Sequence, residues 1–302
     1  MNSAVLFVIF NRPETTARVF EAIRSARPPR LYVAADGPRT SRSGEADRCR
    51  LVREIASRVD WPCELHTLFR EANLGCKLGV SGAIDWFFQS ETEGIILEDD
   101  VVPLASFFGL CDELLETYRD DPKVFAVSGC NLVSSVYRPN HSYFFSRYCH
   151  VWGWATWRRA WEHYDVTMKA YPAWRDAGGL ESSSDTRGAA AAWQRIFDAV
   201  HRGAIDTWDY QWLFCCWSRN ALCILPANNL TQNLGFDNAA THTTGPVPSY
   251  VSRSVPADID FPLSHPDCIS RDIAADRLID LRVFGLSLPV RILHVLRRKL
   301  GL

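Results

Sequence analysis

The chain has 302 residues, of which 47% are hydrophobic and 23% are charged, and its formal net charge at neutral pH is -2. This is the composition of an ordinary globular protein with a large core, and the small net charge disfavours a nucleic-acid partner. The ten cysteines form no Cys-x-x-Cys pair. That spacing favours reduced thiols in a cytoplasmic protein over disulfides or a zinc site.

The first apolar run, residues 4–10 (AVLFVIF), follows the initial methionine almost directly. It has no basic region before it and no small-residue cleavage site after it, and it is far too short to span a bilayer. We therefore predict a first core strand and no transmembrane segment.

Apolar runs alternate with amphipathic stretches through residues 1–128, a pattern that predicts a parallel sheet with helices on both faces. The predicted strands are residues 4–10, 30–35, 63–69, 94–98 and 124–128, and the predicted helices are residues 13–26, 45–58, 76–90 and 104–119. Four of these strands end in polar or glycine-containing residues. Because ligands bind at the carboxyl edge of open α/β sheets, these ends predict one cleft.

The most informative strand end carries three consecutive carboxylates, Glu98, Asp99 and Asp100. Like charges this close repel, and a hard divalent cation such as Mg²⁺ or Mn²⁺ relieves the repulsion and can hold diphosphate oxygens. The alternative is a solvated acidic turn or a helix start. Neither a Gly-x-Gly-x-x-Gly after the first strand nor a P-loop is present, so the pattern favours phosphates held through a metal.

Beyond residue 130 the pattern changes, and aromatic residues crowd into residues 143–145 and 152–157. Residues 158–163 and 188–202 are predicted helices, residues 175–188 a mobile loop and residues 222–225 a strand. Asp206 and Thr207 are predicted to cap a further helix. The tail, residues 286–302, predicts a basic amphipathic helix, which either lies peripherally on an anionic membrane or packs on the domain.

The motifs, in their order, resemble nucleotide-sugar-dependent glycosyltransferases of the GT-A fold. Ile-Leu-Glu-Asp-Asp resembles the Glu-Asp-Asp form of their Asp-X-Asp motif, as in N-acetylglucosaminyltransferase I. The chain is also similar to a bacterial family of sugar transferases, some labelled haemolytic-protein-like. The shared motifs, spread over roughly residues 4–245, are Phe-Asn-Arg-Pro, Ala-Asp-Gly-Pro, Asn-Leu-Gly, Trp-Gly-Trp-Ala-Thr-Trp, Trp-Asp-Tyr-Gln-Trp and Ala-Thr-His-Thr.

The resemblance implies an α/β GT-A fold with a mostly parallel central sheet and helices on both faces. It also implies that Asp100 binds Mn²⁺ or Mg²⁺ directly, and that His242, in a late polar loop, is a further metal ligand. Glu98 and Asp99 would then contact the ribose or the donor sugar. A loop histidine bonded to backbone is the alternative for His242.

The resemblance further implies that Phe10, Asn11 and Arg12 border the nucleoside and that Asp36 accepts a hydrogen bond from an imino group of the base. A tight turn is the alternative for Asp36. The guanidinium group of arginine matches the geometry of phosphate oxygens. We therefore expect basic residues at the strand ends to offset the negative charge of a diphosphate. The remaining members of the predicted nucleotide-sugar set are Arg39, Arg70, Asn73, Gly75 and Lys77, the last of which is otherwise a solvated helix residue.

Asp209 is the candidate catalytic base, because an inverting transfer needs a carboxylate to take the proton of the attacking hydroxyl. Its aromatic neighbours would raise its pKa by desolvation. The alternative is an acid at a helix start. Trp152, Trp154 and Trp208 are candidates for stacking on an acceptor sugar, although most tryptophans of this kind belong to a core.

We therefore predict a metal-dependent inverting glycosyltransferase that moves a sugar from a nucleotide-diphosphate sugar, with UDP expected, to a glycan, lipid-linked or protein hydroxyl. A nucleotidyltransferase or phosphohydrolase, and a non-catalytic nucleotide- or glycan-binding module, are the alternatives. The predicted division is a nucleotide-sugar-binding half (residues 1–128), an acceptor-binding and catalytic half (residues 129–250) and a C-terminal extension (residues 251–302).

Overall fold

The computed structural model describes residues 1–236 and 247–285. The strands are β1 Val5–Ile9, β2 Arg30–Ala35, β3 Glu64–Phe69, β4 Glu93–Glu98, β5 Val101–Pro103, β6 Val124–Ser128, β7 Tyr143–Ser146, β8 Trp154–Trp157, β9 Leu222–Pro226 and β10 Thr231–Asn233. The helices are α1 Pro13–Ala26, α2 Glu45–Ala56, α3 Gly75–Ser90, α4 Ala105–Thr117, α5 Arg158–Trp161, α6 Tyr171–Asp176, α7 Gly179–Ser182, α8 Ala189–His201, α9 Asp209–Ser218, α10 Ser249–Arg253 and α11 Ile273–Arg282.

Eight strands form one sheet in the order β3-β2-β1-β4-β8-β6-β9-β7. Strands β1 to β4 pair in parallel, β8 runs antiparallel between β4 and β6, and β7 runs antiparallel to β9. The predicted α/β fold class with a mostly parallel central sheet is confirmed. The sheet is continuous across the predicted division at residue 128.

The two faces of the sheet each carry a core, because successive residues of a strand point to opposite sides. Val5 and Phe7 of β1 belong to the cluster that packs against α1, α2 and α4. Leu6 belongs to the cluster that packs against α3, α8 and α9. A parallel strand buried on both faces has no polar position in its middle, so the polar residues lie at its ends.

The aromatic runs after residue 130 are strands, which the sequence did not predict. Every residue of β7 and of β8 is buried, so neither strand shows the apolar-polar alternation that identifies a half-buried strand. The predicted loop at residues 175–188 is also wrong in part, since it contains the end of α6 and all of α7.

Helix α9 begins differently from the prediction. Its N-cap is Trp208 and no side chain caps it, so the predicted capping by Asp206 and Thr207 is wrong. Thr207 Oγ1 instead donates to the carboxylate of Asp209, the first residue of the helix.

The small two-stranded sheet pairs β5 with β10 in antiparallel register, Val101 opposite Asn233. Its strand β5 begins immediately after the acidic turn that follows β4. The pairing of β5 with β10 therefore holds the C-terminal side of that turn in place. After β10, the Leu234 amide donates to the carbonyl oxygen of Asp100 at 2.7 Å.

No helix in the described ranges is both long enough and apolar enough to cross a membrane. The predicted basic amphipathic helix of the tail, residues 286–302, lies outside the described residues.

Helix α11 is fixed to the sheet by buried ionic groups. Arg147, which is 3% exposed, lies over the rings of Tyr148 and Trp217 and pairs with Asp280 of α11 at 2.9 Å. Asp276 of the same helix is completely buried and accepts from Ser146 Oγ at 2.5 Å. Burial raises the pKa of Asp276 to about 6, although Ser146, Arg147 and Arg271 oppose the shift.

Replacement of Asp276 by Asn tests this burial through the pH dependence of stability. A carboxyl whose folded-state pKa lies above its unfolded value of about 3.9 contributes most to stability below about pH 4 and less as the pH rises. With a folded pKa of about 6, we expect the unfolding free energy of the wild type, relative to Asp276→Asn, to fall by about 2 kcal/mol from pH 4 to pH 7.

Urea unfolding at a series of pH values measures this difference, with the exposed Asp267→Asn as the control that should show little slope. A difference between wild type and Asp276→Asn that stays flat or rises over this range contradicts the expectation.

Candidate functional site

The carboxyl ends of β1, β2, β3 and β4 meet at one edge of the sheet and surround a cavity of about 370 Å³. We call this the first cavity. Its volume lies within the range of about 300 to 1,000 Å³ that small-molecule sites occupy. Ten of the residues predicted to bind a nucleotide-sugar or metal line it: Phe10, Arg12, Asp36, Arg39, Arg70, Asn73, Gly75, Glu98, Asp99 and Asp100.

Arg12 connects the end of β1 to the acidic turn after β4. One terminal nitrogen of its guanidinium donates to Asp99 at 2.8 Å and to Asp100 at 2.9 Å. The second oxygen of Asp99 accepts from the Phe10 amide at 2.9 Å. Asp99 is 3% exposed, so its carboxylate holds the two loops together, and both of its oxygens are already engaged.

Glu98, the last residue of β4, is half-buried in the wall of the first cavity. Burial, followed by repulsion from Asp100, Asp99 and Asp209, raises the pKa of Glu98 to about 8. Burial likewise raises the pKa of Asp99 to about 6 against the attraction of Arg12. Arg12 thus offsets only part of the combined effect of burial and mutual repulsion on these two acids.

This charge distribution is compatible with a hard divalent cation. Asp100 lines the cavity, and in the described contacts it accepts from Arg12 through Oδ2. Within residues 1–236 and 247–285, no three His, Cys, Asp or Glu side chains are grouped to hold a metal. Mg²⁺ is commonly held by one or two carboxylates together with substrate phosphates, and such a set fits Asp100.

Gly235 lies directly against the acidic turn. A Cβ atom on this glycine would overlap Oδ2 of Asp100, so a larger residue here would require the Asp100 carboxylate to move. The segment that follows contains His242, which lies outside the described residues.

Asp36, at the end of β2, has one oxygen satisfied and one without a partner. Oδ2 accepts from the amides of Leu74 and Gly75 at 2.8 and 3.1 Å. Oδ1 is buried and has no hydrogen-bond partner in the described part of the chain. Since an unpaired buried acceptor costs about 1–3 kcal/mol, this atom is suited to a donor from a ligand.

Glu45 positions two residues of the predicted set and was not itself predicted. It is completely buried, accepts from the backbone amide of Arg39 at 2.7 Å and from Asn11 Nδ2 at 2.8 Å, and pairs with the Arg39 guanidinium. The guanidinium also lies 5.3 Å from the centre of the Phe10 ring. Asn11 and Lys77 do not line the first cavity.

Asp206 and Cys76 also line the first cavity, and sequence reasoning assigned neither of them to the site. Gly75 has φ +77°, and a Cβ on it would lie 3.3 Å from Asp206 Oδ2, so Asp206 extends to the start of α3. Burial, with the charges of Glu98, Asp209, Asp206 and Asp100, raises the pKa of the Cys76 thiol.

A second cavity of about 180 Å³ contains Asp209 and Trp152. The Asp209 carboxylate accepts from the Tyr210 amide at 2.9 Å, and its negative charge contributes to the raised pKa of Glu98 in the first cavity. Phe236, which follows Gly235, packs edge-on against Trp152 at 5.6 Å. The residues around Gly235 and Asp209 thus separate the two cavities.

The prediction that Trp154 and Trp208 stack on an acceptor sugar is wrong. Trp154 is 0% and Trp208 3% exposed, and their rings stack on each other at 5.7 Å. Neither ring has a free face, because each packs within the core on one side of the sheet. They cannot stack on an acceptor sugar.

No family model and no curated protein matches the chain. Among solved structures it is similar to HddC from Yersinia pseudotuberculosis, with 7% identity and a TM-score of 0.31 over 52% of this chain and 77% of that chain. It is similar to UDP-glucose pyrophosphorylase complexed with UDP-glucose, with 9% identity and a TM-score of 0.41 over 84% and 97% of the two chains.

A third similar structure is mouse xyloside xylosyltransferase 1 in its apo form, with 12% identity and a TM-score of 0.34 over 72% of this chain and 81% of that chain. Likenesses at these TM-scores carry no argument about activity. The function is therefore inferred from the geometry of the two cavities.

Replacement of Arg12 by Met tests its role in the acidic turn. Asp99 would remain buried without its cation, and removing one partner of a buried pair costs about 3 kcal/mol or more. We expect the unfolding free energy in urea to fall by about that amount.

The control is Arg50→Met, since Arg50 forms only exposed pairs on α2 and its loss should cost less than about 0.5 kcal/mol. Equal stability of the two variants would contradict the stabilisation of buried Asp99 by Arg12.

Proposed function

We propose that the chain is a metal-dependent, inverting glycosyltransferase of the GT-A type that uses a nucleotide-diphosphate sugar, with a UDP-sugar as the first candidate. The observation that carries this proposal is the first cavity, where four parallel strand ends bring an acidic turn, arginines and an unsatisfied acidic oxygen to one place. Ligands of open α/β sheets bind at this edge.

The nucleoside is proposed to bind at the β1 and β2 side of the cavity. Phe10 provides an aromatic face there, with the Arg39 guanidinium 5.3 Å from its ring centre. The unpartnered Oδ1 of Asp36 can accept a hydrogen bond from the imino group of a uracil. Arg39 and Arg70 line the same cavity and can offset phosphate charge.

The diphosphate is proposed to bind beside the acidic turn, with Asp100 as a direct ligand of Mn²⁺ or Mg²⁺ and His242 as a second ligand. A bound divalent cation stabilises the negative charge that builds up on a leaving diphosphate. Glu98, which lines the cavity next to Asp100, is placed to accept hydrogen bonds from ribose or donor-sugar hydroxyls. Asp99 is proposed to act by holding Arg12 and the Phe10 amide.

Asp209 is proposed to be the catalytic base. It lines the second cavity, and its charge contributes to the raised pKa of Glu98 in the first, which supports a role between an acceptor and the donor sugar. Asp209 takes the proton of the acceptor hydroxyl while the hydroxyl oxygen attacks the anomeric carbon of the donor sugar. The bond between the anomeric carbon and the diphosphate oxygen breaks on the opposite side. This displacement inverts the anomeric configuration.

The donor site is tested by thermal unfolding with Mn²⁺ and a panel of UDP, GDP, CDP and TDP sugars. A ligand that binds only the folded state raises its melting temperature, and we expect a metal-dependent rise for the UDP-sugars. Asp100→Ala should abolish the rise, whereas Asp47→Ala, an exposed acid on α2, should retain it. Absence of a rise with every nucleotide class would count against a donor site and favour a module with an unrelated ligand.

The catalytic base is tested by Asp209→Asn, with release of nucleoside diphosphate from the donor as the measured rate. Loss of a general base typically lowers the rate by about 10² to 10⁴-fold, and we expect a loss in this range with donor binding unchanged. The exposed Asp176→Asn is the control. Near-normal turnover of a folded Asp209→Asn would remove this residue from the mechanism, and release of pyrophosphate would identify a nucleotidyltransferase instead.

A further inference from the structure

The second cavity is small and mainly aromatic. Its volume of about 180 Å³ is below the range of about 300 to 1,000 Å³ typical of larger organic ligands. Its walls include the rings of Tyr148, Trp152, Trp193, Tyr210, Tyr250 and Phe284. A cavity of this size and lining suits a single ring with apolar faces rather than an extended chain.

Within residues 1–236 and 247–285, the lining of the second cavity includes no cationic side chain that would bind an anion. Among the described residues that line it there is no Lys and no Arg, and Asp209 contributes a negative charge. His150 also lines the cavity, and burial lowers the pKa of its imidazole to about 4, so the ring is neutral at neutral pH. A phosphate or carboxylate would lose its hydration there without gaining a counter-charge.

His150 lines this aromatic cavity and carries an unsatisfied polar atom. Its Nε2 is buried and has no hydrogen-bond partner among the described residues, which is unfavourable for a polar atom. The residue is held in place, because its carbonyl oxygen accepts from Ser128 Oγ at 2.6 Å and its ring lies parallel to that of Tyr148, within 9°.

A hydroxyl group is the natural partner for this nitrogen. Hydroxyls both donate and accept, so a hydroxyl satisfies Nε2 in either tautomer of the neutral ring. The described lining therefore combines flat apolar faces, the neutral ring of His150 and the carboxylate of Asp209. A pyranose ring, with C–H groups on its faces and hydroxyls on its edge, matches this combination.

We propose that the second cavity binds an uncharged sugar ring of the acceptor, with one hydroxyl on His150 Nε2 and another directed at Asp209. The acceptor is thus a glycan end rather than a peptide or a phosphate headgroup. This inference rests on the proposed function, since Asp209 serves as the base. His150 is a residue that selects and positions the acceptor.

The test uses saturation-transfer NMR on the full chain with four neutral probes, the methyl glycosides of glucose, galactose, mannose and N-acetylglucosamine. Glucose 6-phosphate and glucuronic acid are the anionic counterparts. We expect at least one neutral glycoside to bind with a dissociation constant in the millimolar range, and both anions to bind at least tenfold more weakly.

Two variants of His150 identify the cavity as the binding place. His150→Phe removes the nitrogen but keeps a flat ring, and we expect it to weaken glycoside binding at least tenfold. His150→Gln restores a polar group and should recover part of the affinity. His201→Phe, an exposed histidine outside both cavities, is the matched control and should bind as the wild type does.

Folding is verified by melting temperature, and binding of UDP with Mn²⁺ is measured in the same samples. If UDP binds but no neutral glycoside does, or if the anions bind equally well, the sugar-ring assignment is overturned while the donor site stands. Unchanged glycoside binding by a folded His150→Phe also overturns it. Failure of UDP itself to bind would count against the proposed function separately.

Discussion

The interaction on which the first cavity depends is the bridge from Arg12 to Asp99 and Asp100. Two adjacent carboxylates at the end of a buried strand repel each other, and one guanidinium with two close contacts holds them in a fixed arrangement. Because Asp99 also binds the Phe10 amide, the loops after β1 and β4 form one unit. The small sheet of β5 and β10 begins at that unit and directs the chain to Gly235, between the two cavities.

Burial of the sheet on both sides explains why so much charge collects at one edge. The middle positions of β1, β2 and β4 belong to the two cores, so a polar side chain there would be desolvated without a partner. The strand ends are the nearest positions at which acids and arginines can meet water, ligands and one another. The same constraint that stabilises the sheet therefore creates the polar wall of the first cavity.

Sequence reasoning succeeded where a pattern is local. The alternation of apolar runs and amphipathic stretches predicted β1 to β4 and the helices between them, and strand ends alone predicted that Asp36, Arg70 and Asp100 meet. It failed where the environment is set by distant packing. The aromatic strands β7 and β8 are buried on both sides, so their sequences show no alternation of apolar and polar residues. Trp154 belongs to the core, although the sequence suggested that it stacks on an acceptor sugar.

Three residues of the site could be recognised only in three dimensions. Glu45 reads as an ordinary acid in the first turn of a helix, yet it is completely buried beneath Arg39. Asp206 reads as part of a helix cap, and it lines the first cavity instead. His150 has no sequence signal, because an unpaired ring nitrogen is a property of its surroundings.

The Cys76 thiol, in the wall of the first cavity, has a further chemical consequence. Thiolates, rather than thiols, react with electrophiles and oxidants. Burial and four neighbouring carboxylates raise the pKa of this thiol, so it stays protonated at neutral pH. Burial and the acidic residues that shape the pocket thus also disfavour the reactive thiolate of its cysteine, which lowers the sensitivity of the site to alkylation and peroxide.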